Sequence, residues 1–157
     1  MSDRLLVAVF VSPVAEVLVR WGMELGFRTV LVEPGESAAD VRADRVVRGF
    51  PEIEDELGDG NADVVVTDHH RDELGPLLRD ALARPARWIG VMGNPRHEGP
   101  HVAALAALGV PPEEVARVHR PIGLDIGSRQ PAEIAVSTLA GLLADRNGRS
   151  GGFAHGG

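Results

Sequence analysis

Seven consecutive apolar residues, 5–11 (LLVAVFV), limit the fold this chain can adopt. A strand with one wet face alternates apolar and polar side chains. An unbroken apolar run therefore fits a strand covered on both faces, as in a parallel sheet. Pro13 suits the first turn of a helix, and Val14, Val17, Leu18, Trp21 and Leu25 follow at helical spacing until Gly26. Residues 29–32 are a second apolar run, ending at Glu33. Strand, helix and strand within about 30 residues make a right-handed parallel unit.

The pattern continues to residue 146. A short helix is predicted over 37–43, a short strand over 45–47 and a helical turn over 53–57. Strand 63–67 (DVVVT) precedes helix 74–83, and strand 88–92 (WIGVM) precedes the alanine-rich helix 101–108, closed by Gly109. A helical turn over 112–115, a short strand at 118–119 and a helix over 132–146 complete the series. Pro131 starts that last helix, and Glu133 is placed to cap it. The expectation is one α/β domain over residues 1–147, a three-layer, doubly wound parallel sheet of Rossmann-like type. Residues 148–157 have the composition of a flexible, glycine-rich tail. Ligands of such sheets bind beyond the carboxyl ends of the strands. The loops after Val11, Val32, Thr67, Met92 and His119 are therefore where function is expected.

Inventory excludes several chemistries. The net charge is -7, and all 16 basic residues are arginine. An acidic domain lacks the clustered cations that nucleic-acid binding needs, and without lysine there is no Schiff base and no P-loop lysine. Cysteine is absent, which removes disulfides, thiolate metal sites and a cysteine nucleophile from this chain. Tyrosine is absent too, which rules out a tyrosine-dependent reductase. No apolar run reaches the roughly 18 residues of a membrane span, and residues 1–4 (MSDR) do not read as a secretory leader. A cytoplasmic location is the expectation.

Each loop carries a candidate. Val11-Ser12-Pro13-Val14 stands where a dinucleotide fold needs G-x-G-x-x-G, so Ser12 reads as a helix cap or as the remnant of a nucleotide loop. Glu33 stands where Rossmann domains place an acid for ribose hydroxyls. Thr67-Asp68-His69-His70 groups polar side chains at a strand end, either as a hydrogen-bonded loop beside a cleft or as a metal site. Gly93 and Asn94 allow a sharp turn, behind which Arg96 and His97 face solvent or hold an anion. The segment 121–127 (PIGLDIG), followed by 131–135 (PAEIA), places Asp125 between two glycines in a turn that feeds a helix. Asp125 either caps nearby backbone or faces a ligand, and the loop is expected beside the first helix.

These segments together resemble the C-terminal Rossmann domain of the XdhC/CoxI family. The resemblance rests on Val64-Val65-Val66-Thr67, on 88–93 (WIGVMG) with Arg96 behind it, and on Leu105 to Gly109. It continues through 112–119 (PEEVARVH), 121–127 (PIGLDIG) and 131–137 (PAEIAVS), most of residues 60–147 in all. It implies a maturation factor that binds the molybdenum cofactor, favours its sulfuration with a cysteine desulfurase, and delivers it to a molybdenum hydroxylase apoenzyme such as xanthine dehydrogenase or carbon monoxide dehydrogenase. It points to Gly93, Arg96, Gly123, Asp125 and Gly127 as a pterin or phosphate rim, with Thr67 and Asp68 nearby. That is a chaperone role, not turnover.

The chain departs from that pattern in two places. The family's Gly-x-Gly-His type loop is replaced by residues 11–14, and the N-terminal domain of full-length members, often cysteine-bearing, has no counterpart here. Such a chain works with a separately encoded N-terminal-type partner, as a homodimer, or as a diverged docking domain with a degenerate nucleotide site. An NAD(P)-dependent oxidoreductase is the competing reading, supported by fold and Glu33.

Overall fold

In the computed structural model the described residues are 4–35, 41–93 and 99–153. Five parallel strands form one sheet: β1 (Leu5–Val9), β2 (Arg28–Val32), β3 (Arg45–Val47), β4 (Ala62–Val66) and β5 (Trp88–Val91), in the spatial order β3-β2-β1-β4-β5. The helices are α1 (Pro13–Glu24), α2 (Glu54–Leu57), α3 (Leu74–Leu82), α4 (Pro100–Ala107), α5 (Pro112–Val115) and α6 (Pro131–Arg146), with a 3-10 turn over Phe50–Ile53 before α2. This is the α/β, doubly wound arrangement expected from the apolar runs. β1 is central and every residue in it is buried, which is why its sequence shows no alternation.

The sheet divides two cores. Leu5, Val7 and Val9 face one core with α3 and α4, while Leu6 and Ala8 face the other with α1 and α6. Gly22 permits α1 to lie close to β1, because a Cβ there would sit 2.6 Å from Leu6 Cδ2. The apolar run of 5–11 exceeds the strand by two residues for a backbone reason. Phe10 has φ 75°, a left-handed conformation that ends β1 and turns its ring into the same core as Val9. The expected strand at 118–119 reduces to one parallel bridge between His119 and Gly90 at the outer edge of β5. Of the helix expected over 37–43, residues 37–40 lie outside the described residues and 41–43 are irregular. Beyond α6, the Arg149 N–H donates to the Ala144 carbonyl at 2.8 Å. No helix among the described residues is long and apolar enough to cross a membrane.

A charged cluster closes the amino ends of the strands. Asp63, fully buried in β4, accepts from Arg87 Nε at 2.6 Å and from Arg146 Nε at 2.8 Å. Arg146 also donates to the Asn61 side chain and carbonyl, both at 2.8 Å. The last turn of α6 is thereby fastened to β4 and to the start of β5. Replacing Asp63 with Ala leaves two arginines without their shared buried carboxylate. The expected loss is about 3 kcal/mol of unfolding free energy, measured by urea denaturation.

Candidate functional site

A cleft of about 1030 Å³ opens at the carboxyl ends of β1, β4 and β5. Residues 67–70 line it from one loop and 121–129 from another, with Val14 of α1, Met92 and Gly93 after β5, and Ile134 of α6. Val14 in the lining places the 121–127 loop beside the first helix, as its sequence suggested.

That loop is held by a lock to α6. The Leu124 N–H donates to the Ser137 carbonyl at 3.1 Å, and Ser137 Oγ donates to the Leu124 carbonyl at 2.6 Å. Gly123 makes this approach possible. It has φ 88°, and a Cβ there would sit 2.5 Å from Ser137 Oγ. Gly123 therefore acts through backbone packing. Gly127 has φ 70° with open space around its Cα, so its requirement is the left-handed turn alone. Glu133 fastens the far end of the loop, accepting from the Arg129 N–H at 2.9 Å and the Gln130 N–H at 3.1 Å. These two amides hold its carboxyl below the usual range, Arg129 foremost. Between the anchors Asp125 is exposed, with no side-chain partner among the described residues.

The opposite wall is built from polar groups with distinct tasks. Thr67 Oγ1 lies 2.9 Å from the Val9 carbonyl and 3.0 Å from the Phe10 carbonyl, and accepts from Ser12 Oγ at 2.9 Å. Ser12 Oγ in turn accepts from the Ala15 N–H at 3.0 Å, which caps α1. Asp68 Oδ1 accepts from the His70 N–H at 2.9 Å. His69 Nδ1 lies 3.0 Å from the Met92 carbonyl oxygen. Gly93 is confined by Arg120, whose guanidinium would lie 2.3 Å from a Cβ placed there. Arg96 and His97 lie outside the described residues. Among the described residues there is no group of three or more His, Cys, Asp or Glu side chains placed to hold a metal ion. The turn 67–70 carries instead the hydrogen bonds of Thr67, Asp68 and His69.

Glu33 stands where a ribose-binding acid was expected, but its carboxylate is saturated. Oε1 accepts from the Val11 N–H at 2.8 Å and Arg71 Nη1 at 3.0 Å, and Oε2 accepts from the Gly35 N–H and Arg71 Nη2, both at 2.7 Å. Arg71 also lies over the Phe10 ring, 4.4 Å from its centroid. The start of α1 is partly occupied as well. Pro13 has no N–H, the Ala15 N–H goes to Ser12 Oγ, and the Glu16 N–H goes to the Ser12 carbonyl. The elements that would grip a dinucleotide are thus bonded to one another.

Arg71 and Arg120 carry no motif of their own in the sequence, and Ser137 entered only as the last residue of the 131–137 segment. The sheet order brings the first of them into place, because β2 and β4 flank β1 and their ends face each other across it.

Arg71 chiefly, with the Val11 and Gly35 amides, outweighs burial and holds the Glu33 carboxyl at about 2 against an ordinary 4.5. A depressed folded value means that this stabilisation is present above about pH 4.5 and is lost as pH falls towards about 2. Thermal midpoints of the wild-type chain are expected to fall through that window. In Glu33→Gln the midpoint is lower at neutral pH and the fall is shallower.

Comparison with known proteins places this geometry. The pattern of the XdhC Rossmann domain matches residues 6–142, well beyond the second half of the chain. Over 90 residues the chain is 33% identical to the uncharacterized protein YqeB of Escherichia coli K12, covering 57% of this chain and 16% of that protein. A crystal structure from Bacillus halodurans, named a xanthine dehydrogenase, superposes with a TM-score of 0.69 at 24% identity, over 97% of this chain and 45% of that one. At that identity the likeness is one of fold. The chain thus spans under half the length of either relative. With the family pattern covering most of its sequence and the fold shared along nearly all of it, the chain belongs to the XdhC Rossmann-domain family.

Proposed function

We propose that this domain is an accessory factor that binds the molybdenum cofactor as cargo and delivers it to a molybdenum hydroxylase apoenzyme of the xanthine dehydrogenase or carbon monoxide dehydrogenase type. The observation that carries the reading is the locked 121–127 loop, which holds Asp125 at the cleft rim in a chain of this family. The cleft suits such a cargo. Its volume of about 1030 Å³ is ample for a pterin, most of its walls are apolar, and Asp125 is an acceptor with no partner among the described residues. The role is transfer and protection of a cofactor, without turnover. The partners of this reading are the apoenzyme, an N-terminal-type domain or a second copy of this one, and a cysteine desulfurase for sulfuration.

A different observation favours a docking domain with a degenerate nucleotide site, namely the mutual bonding of Glu33, Arg71 and the capped start of α1. The same observation counts against NAD(P) as a bound cofactor, because the Glu33 carboxylate is already filled by four N–H donors and Pro13 offers no N–H to a pyrophosphate. Pull-down of the apoenzyme without any pterin supports the docking reading.

Co-expression with a molybdenum hydroxylase apoenzyme tests delivery. The wild-type chain should raise the fraction of active enzyme. Asp125→Ala should reduce that gain about tenfold, the size of one lost charge-assisted hydrogen bond. The melting midpoint should not move, because Asp125 is exposed and its side chain bonds nothing among the described residues. Full activation by Asp125→Ala would remove the residue from the site.

A further inference from the structure

We infer that the cleft grips its ligand by a hydrogen-bond-donor edge of a planar heterocycle, with Asp125 and His69 as the accepting groups. The inference rests on the delivery reading and names the end of the cargo that the described walls recognise. Val14, Met92, Ile122, Leu124, Ile126 and Ile134 give the cleft apolar surface of the kind that a flat ring covers. The side chains that break this surface include two carboxylates, Asp68 and Asp125, and the imidazole of His69. Asp125 has both carboxylate oxygens without a partner among the described residues. His69 Nδ1 lies 3.0 Å from the Met92 carbonyl oxygen, and a carbonyl only accepts, so the contact assigns the donated proton to Nδ1 and leaves Nε2 as the acceptor of the imidazole. Asp68 adds a second carboxylate, with Oδ1 held by the His70 amide. Against two aspartates, the described lining holds one arginine, Arg129. An anionic group brought to these walls meets like charge, whereas adjacent N–H donors meet a carboxylate in matching geometry. A 2-amino-4-oxo pyrimidine ring presents such donors side by side.

Two fluorescent probes of equal shape separate this from simple ring stacking. Pterin carries the 2-amino donor, and lumazine has an oxygen in its place. Titration of the full chain should show saturable pterin binding, at least about tenfold tighter than lumazine, because an absent donor leaves a carboxylate unpaired. Asp125→Asn and His69→Asn should each weaken pterin about tenfold. The asparagine at 69 can still donate to the Met92 carbonyl but has no acceptor at the Nε2 position. Nitrogen NMR of His69 at pH 8 should show an unprotonated Nε2. Equal affinity for the two probes, displacement by pyrophosphate instead of pterin, or an Nε2–H tautomer would overturn the inference. Activation of the apoenzyme alongside equal probe affinities would sink it while leaving the delivery reading intact.

Discussion

The carboxylate of Glu33 holds the functional end of this domain together. It is buried, accepts four N–H donors, and joins the end of β2 to the segment after β1 and to the loop after β4. A buried charge of this kind is tolerable only when its acceptor sites are filled and a counter-ion is present. Arg71 meets both conditions at once and also covers the Phe10 ring. Phe10, in turn, takes a left-handed conformation directly after β1 and packs its ring into the core. Glu33, at the position of a ribose-binding acid, is bonded to Arg71.

The cleft depends on this closure from one side and on the α6 lock from the other. Arg71 follows Asp68, His69 and His70 by only a few residues, so its tie to Glu33 constrains the wall they form. Across the cleft, Leu124 and Ser137 exchange two hydrogen bonds around a glycine that admits no side chain. Asp125 is next to the lock and takes no part in it. Its freedom from internal bonds, on a backbone that is firmly held, is the condition for a preorganised contact with a ligand.

At the opposite end of the sheet, Asp63 shows the same use of charge for a structural end. Two arginines converge on it from the end of α6 and the start of β5. Buried ion pairs therefore occur at both ends of the strands, and the one at the carboxyl end lies one residue beyond the 67–70 wall of the cleft.

Much of the architecture was legible in the residues. The runs in β1, β2, β4 and β5 are apolar because both sheet faces are covered, and Pro and Gly mark the helix ends. The 121–127 loop announced itself by two glycines around an acid. Other features were not legible. Phe10 and Val11 read as strand because their hydrophobicity says nothing about a change in the sign of φ. The partnership of Glu33 with Arg71 spans 38 residues, and that of Leu124 with Ser137 spans 13. The sequence by itself determined the alternation of strand and helix, the parallel sheet and the loop that bears Asp125, because burial and backbone conformation are encoded locally. Only the tertiary structure decided which polar groups are consumed within the domain and which remain to meet a ligand. That outcome follows from which strand ends become neighbours across β1, a consequence of strand order that no local pattern carries.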